Sequence, residues 1–161
     1  RDRSPSRGLG DVYKRQPVNA GEYIAGKVIS LCVIALVVAA VLALAAGAGC
    51  LPYTLFGTAV SGVIFTLLGM IIATKITSLN QFILWTVPIE IVGFVPAILH
   101  LFNITPAVLR YYPINTCMDM VAGRKVTALQ LFLTALLLAG LLMHARKCVL
   151  KMWQSAGGIK L

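Results

Sequence analysis

The chain has 161 residues, 59% of them hydrophobic and only 12% charged, with a mean hydropathy of +0.90. That composition excludes a disordered chain and argues against a soluble globular domain, in which roughly a quarter of residues are charged. The net charge of +9 comes from fourteen Lys and Arg against five Asp and Glu. These basic residues flank long apolar runs, so they are assigned to a membrane surface and not to nucleic acid.

Residues 1–16 are polar and lack apolar periodicity. They resemble translated sequencing-adapter read-through and are expected to be a non-native or disordered head. The competing expectation is a basic arm on the membrane surface. The stretch holds five of the basic and two of the acidic residues, so the remainder carries +6. The chain opens on Arg1 and has no Met before Met70, from which a fragment is expected. Pro17 to Lys27 follows as a lead-in at the membrane surface. There Asn19 is placed to cap a helix and Glu22 suits the positive end of its dipole.

Val28 to Thr74 holds 47 residues without Asp, Glu, Lys, Arg or His. As one helix it would be roughly 70 Å long, against a hydrocarbon core of about 30 Å. It must therefore turn back, and Gly47-Ala48-Gly49-Cys50-Leu51-Pro52 supplies the break. Two spans are predicted, about 28–46 and 54–74. The apolar run is too long for the core of a cleavable signal.

A third span is predicted over 81–101. Its twelve Leu, Ile, Val and Phe residues contribute about −4 to −7 kcal/mol to insertion, against about +3 for one central acid, taking the Asp value for Glu. The span should therefore still insert, with Glu90 turned away from lipid. On a helix Thr86, Glu90, Gly93 and Ala97 share one small or polar face. Pro88 and Pro96 remove the amide donors for the carbonyls of Leu84 and Val92. Two readings of Glu90 stay open: a wet cavity lined by that face, or a protonated carboxyl hydrogen-bonded within the bundle. Thr86, Glu90 and Gly93 are the substrate-pathway candidates.

The segment 103–125 is too polar to span and too long for a tight turn. A short re-entrant or surface helix is expected to cap the outer face, an ordered loop being the alternative, with its tyrosines at the interface. A fourth span is predicted over 126–144, ending at His144-Ala-Arg-Lys147. Four spans put both ends on one side. With those ends cytoplasmic, six basic residues lie inside against Arg110, Arg124 and Lys125 outside, as the positive-inside rule prefers. The fold expected is all-α, a polytopic membrane bundle of four transmembrane helices. Small residues four apart (Ala35, Ala39, Ala43 and Gly47; Gly62 and Thr66; Gly69 and Ala73; Ala135 and Ala139) mark either packing within the bundle or a subunit interface.

The chain has no phosphate-binding Gly-Lys-Ser/Thr loop and no C-x-x-C pair. His100 and His144 are placed on opposite membrane sides, so no metal site is expected. Cys50 and Cys117 share the outer side, which leaves a disulfide between them open. Asn103-Ile104-Thr105 fits a glycosylation sequon that chance explains.

Pro17, Glu22-Tyr23 and Gly26-Lys27 resemble the approach to the third transmembrane helix of ABC-2 type transporter permeases. Phe65-Thr-Leu-Leu-Gly69 through Lys75-Ile-Thr-Ser-Leu-Asn-Gln-Phe82 is similar to that family's fourth helix, inner loop and start of the fifth. Within the family the fluoroquinolone-export permeases are the most similar. The resemblance covers about 17–150. It implies that 17–161 is the C-terminal part of a six-helix permease in the inner (plasma) membrane. It further implies pairing with a second permease subunit, and a separate ABC ATPase subunit that binds ATP and Mg, this chain holding no cofactor and catalysing no covalent step. Glu22, Tyr23 and Lys27 would then lie near the ATPase contact. The function expected is the membrane half of an ATP-driven exporter. The alternatives are a small four-helix proton-coupled multidrug transporter using Glu90, and a non-transporting membrane scaffold.

Overall fold

The computed structural model describes residues 19–157 apart from 48 and 77. The 1–16 head, Pro17 and Lys160 therefore lie outside the described residues. The chain is all-helical, with no strand among the described residues. Its long helices are α1 (Ala20–Ala45), α2 (Leu51–Ala73), α3 (Leu79–Leu101) and α5 (Ala128–Gly157). A 3-10 helix (Ala107–Tyr111) and the short helix α4 (Pro113–Val121) lie between α3 and α5. All four long helices are long and apolar enough to cross a membrane, as a multi-pass membrane protein requires.

Local chemistry sets the boundaries. Asn19 and Glu22 form a reciprocal cap on α1: the Asn19 side chain accepts from Gly21 N–H, and the Asn19 N–H donates to Glu22 Oε2 at 3.2 Å. Residues 20–27 of the lead-in are thus the first two turns of the helix that carries the first span, so that helix begins eight residues before the predicted span. Gly47, at φ +65°, turns the chain, and Pro52 lies in the first turn of α2, where its missing N–H costs nothing. Thr127 caps α5, its N–H and hydroxyl both donating to Gln130 Oε1 at 2.8 and 2.9 Å. The apolar run closes at 144 as expected, but α5 continues through the basic residues to Gly157. Charge ends the hydrocarbon span without ending the helix.

Ala20 and Ile24 of α1, Leu67 of α2, and Ala145 and Val149 of α5 form one buried cluster, with the Tyr23 and Trp153 rings edge-on at 5.9 Å. The start of α1 and the end of α5 therefore share one face of the bundle. The 47–50 turn and α4 occupy the opposite face.

The polarity of burial is inverted relative to a water-soluble protein. Only 6% of the apolar window of α1 and 11% of that of α3 are buried inside the chain. The polar helix α4 buries Asn115, Thr116, Cys117 and Asp119. Lipid solvates the long helices, whereas α4 has to find its partners in protein. Most of those partners are present: Thr54 donates to the Val121 carbonyl at 3.1 Å, Asn115 Nδ2 to the Leu109 carbonyl at 2.7 Å, and Tyr112 OH to the Val92 carbonyl at 3.2 Å, whereas the buried Asn115 Oδ1 has no partner among the described residues. The Tyr112 bond uses one of the two carbonyls freed by a helix proline, Pro96. A short helix, as expected for 103–125, is thus what forms in place of the alternative, an ordered loop.

Close approach makes this seating work. A Cβ on Gly57 of α2 would stand 2.8 Å from Met120 Cβ and 3.0 Å from both Cys117 O and Val121 N. The α1 stripe of small residues packs on α2: Ala43 is buried, and Cys32 lies against Ala59 and Gly62. Gly69, Ala73, Ala135 and Ala139 instead face outward. All four cysteines are free thiols, so Cys50 and Cys117 are not joined. Burial pushes the Cys117 thiol up to about 11.

Candidate functional site

The substrate-pathway candidates on α3 are split by the fold. Gly93 is buried, with the Phe65 ring 3.2 Å from where its Cβ would be. Phe65 also stacks on Phe94, centroids 5.5 Å apart. Gly93 is therefore a packing position between α2 and α3. Thr86 donates to the Phe82 carbonyl of its own helix at 2.7 Å. Glu90 is exposed on the outer flank of α3, and its carboxylate has no hydrogen-bond or ion-pair partner among the described residues. Intramembrane position was legible in the sequence. Orientation was not, because the neighbours of α3 are set by tertiary packing.

The three coupling candidates sit together at the start of α1. Glu22 is held in the cap, Lys27 is exposed, and Tyr23 is 37% exposed beside Trp153. This end of the bundle also carries Lys75, Arg146, Lys147 and Lys151. Displacement of the α1 N-terminus would press directly on the end of α5.

At the opposite face the fold assembles a polar cluster that sequence reading missed. His100 closes α3. Asn103, at φ +57°, ends that helix in a left-handed turn, with Ile104 N–H donating to the Leu99 carbonyl and Asn103 N–H to the His100 carbonyl. That turn brings Thr105 Oγ1 to 3.1 Å from His100 Nδ1. Gly123, at φ +70°, ends α4 in the same way, with Arg124 N–H donating to the Asp119 carbonyl at 2.8 Å. Its Arg124 guanidinium comes back to 3.6 Å from Asp119 Oδ1. His100 Nε2 lies 2.8 Å from the same oxygen. With Nε2 protonated, a neutral imidazole donates to Asp119 and accepts from Thr105, which satisfies both ring nitrogens. The pair is nearly buried, its side chains 12% and 10% exposed. The spacing of 19 residues between His100 and Asp119 carries no motif. Two helix-ending signals, an Asn and a Gly each just beyond an apolar or polar run, were the only local trace.

This cluster forms one wall of an outward cavity of about 530 Å³ that also meets Arg110 and Lys125. The Arg110 carbonyl is fixed by Gln130 Nε2 at 3.0 Å. Beyond the 3-10 helix, Tyr111, Tyr112, Leu133 and Leu137 line an apolar groove of about 650 Å³. Burial holds the Tyr112 hydroxyl protonated to higher pH than an exposed tyrosine, which keeps it a donor to Val92. No group of three His, Cys, Asp or Glu side chains able to hold a metal occurs among the described residues.

Comparison with protein-family models, with curated proteins and with solved structures finds no match for this chain.

Proposed function

We propose that the chain is a transmembrane permease subunit of an ATP-driven ABC exporter. It supplies four helices of a larger bundle, forms part of the substrate pathway, and couples to a separate ATPase subunit that binds ATP and Mg. The observation that carries this reading is Glu90. An acid in the middle of a span costs about 3 kcal/mol in hydrocarbon, yet Glu90 lies exposed on the outer flank of α3 with no partner in the chain. That cost is relieved if further membrane protein covers α3: the two helices absent from this bundle, or a second permease subunit. The substrate pathway would then run along this boundary, with Glu90 on its wall. Gly93, under Phe65, supports the wall from behind.

The charge distribution supports an inner-membrane orientation with both ends cytoplasmic. Five described basic residues (Lys27, Lys75, Arg146, Lys147, Lys151) lie at the face shared by the start of α1 and the end of α5, against three at the other. Glu22, Tyr23 and Lys27 would then meet the ATPase, and the Tyr23–Trp153 contact would pass its motion to α5. Closure of the ATPases would bias a two-state bundle.

Glu90 also favours a second reading, a proton-coupled transporter. Efflux of a fluorescent fluoroquinolone from cells expressing the protein with its ATPase separates the two. The exporter reading expects efflux to stop on ATP depletion and to continue when the proton gradient is dissipated, including in Glu90→Gln. Efflux that survives ATP depletion but fails without the gradient, or in Glu90→Gln, would replace it with the antiporter. A lack of efflux together with no co-purifying ATPase would favour a scaffold.

A further inference from the structure

We propose that the outward cavity at the ends of α3 and α4 is a binding site for a phosphate group. It does not depend on the transport reading and requires only this chain.

The argument begins with an imbalance of charge. The cavity wall carries the cations Arg110, Arg124 and Lys125 against a single carboxylate, Asp119. That carboxylate is already engaged by His100 at 2.8 Å and Arg124 at 3.6 Å. Arg110 and Lys125 have no ion-pair partner among the described residues. The other described acids cannot supply one: Glu22 lies at the opposite end of the bundle, and Glu90 lies in the middle of α3. No other carboxylate among the described residues neutralises these two cations, which leaves them available to an anionic ligand.

The site is also held in shape before anything binds. The left-handed turns at Asn103 and Gly123 set the two rims, and the His100–Asp119 bond ties α3 to α4. Gln130 fixes the backbone of Arg110 from α5. A cation pair on a fixed frame loses less freedom on binding than one on a loose loop. Arg110 and Arg124 can each grip two oxygens of a tetrahedral anion, with Lys125 adding a point charge. A cavity of about 530 Å³ falls within the usual size range of small-ligand sites. A phosphate there could belong to a lipid headgroup or to a soluble phosphate. The apolar groove across the 3-10 helix is the reason to test a lipid.

The test uses the full chain, delipidated in a neutral maltoside detergent, and calorimetric titration with three probes: inorganic phosphate, dioctanoyl phosphatidic acid and dioctanoylglycerol. The phosphate-bearing probes should bind and dioctanoylglycerol should not. Arg110→Gln combined with Lys125→Gln, both exposed positions, should weaken binding about 30-fold, at about one Lys or Arg contribution each. Phosphatidic acid binding more tightly than inorganic phosphate supports the headgroup; equal affinities support a soluble phosphate. Should the double variant lose its helical circular dichroism, the unmodified chain decides, since its affinity must fall as salt rises to about 0.5 M. No binding by either phosphate probe, equal binding by the variant, equal binding of dioctanoylglycerol, or indifference to salt overturns the proposal.

Discussion

Replacing Gly57 by Ala tests how the polar helix α4 is held among apolar ones. The new Cβ would stand 2.8 Å from Met120 Cβ and 3.0 Å from two backbone atoms of α4, whereas ordinary contact begins at 3.4 Å. None of these atoms is the far end of a flexible side chain, so α2 and α4 must part. Overpacking of this kind costs about 1–3 kcal/mol. Replacing a helical Gly by Ala returns about 0.5–1 kcal/mol, for a net loss of about 0–2.5 kcal/mol. Gly69→Ala, on the same helix with nothing within 4 Å, isolates the steric part, because it carries the propensity gain alone. The two variants should therefore differ by about 1–3 kcal/mol. Unfolding in mixed detergent–SDS micelles, followed by far-ultraviolet circular dichroism, measures that difference. Maleimide labelling in a background where Cys117 is the sole cysteine supplies a local readout, since parting the helices exposes that thiol. Equal stabilities for the two variants, with Cys117 equally protected in both, would refute the close seating of α4 on α2.

Tyr112→Phe should lower stability by about 1 kcal/mol, by leaving the Val92 carbonyl without its donor; the same unfolding titration checks it. Cys117 keeps its proton to about 11 in the folded chain, against 9.0 for a free thiol. The folded state therefore holds the proton that the unfolded state releases. Its contribution is complete below pH 9 and is lost as pH rises toward 11, up to about 3 kcal/mol. Cys117→Ala should remove that part of the alkaline loss measured by denaturation across this range. Glu90→Leu should ease insertion of α3 by about 3 kcal/mol and weaken association with the protein that covers it. Subunit counting by single-molecule photobleaching reads that association, and unchanged stoichiometry would count against Glu90 as a contact.

The spans were legible because lipid solubility is a property of a window of residues. The charge-free stretch from Val28 to Thr74 needs no knowledge of neighbours to be placed in a bilayer. The Asn19 cap and the Pro52 start were legible for the same local reason. The far end of α5 was not, because His144-Ala-Arg-Lys147 marks where hydrocarbon stops, while helix propensity runs on to Gly157. Neither the His100–Asp119 bond nor the outward placement of Glu90 could be read. The first joins two helices across 19 residues, and the second depends on which helices flank α3. Tyr112 lies between these cases: Pro96 announced a carbonyl in need of a donor, but the donor comes from 20 residues away.

The burial of α4 among the longer helices has a bearing on how the chain is made. Asn115, Thr116 and Asp119 give this helix no refuge in bare lipid, and its lodging is built by α2, α3 and α5 jointly. A ribosome delivers α4 before α5, so the short helix has to wait at the water boundary until its last neighbour arrives. Synthesis halted after Gly123 would leave three inserted helices and a stranded polar segment. Completion of α5 is then the step that both threads the fourth crossing and draws α4 home.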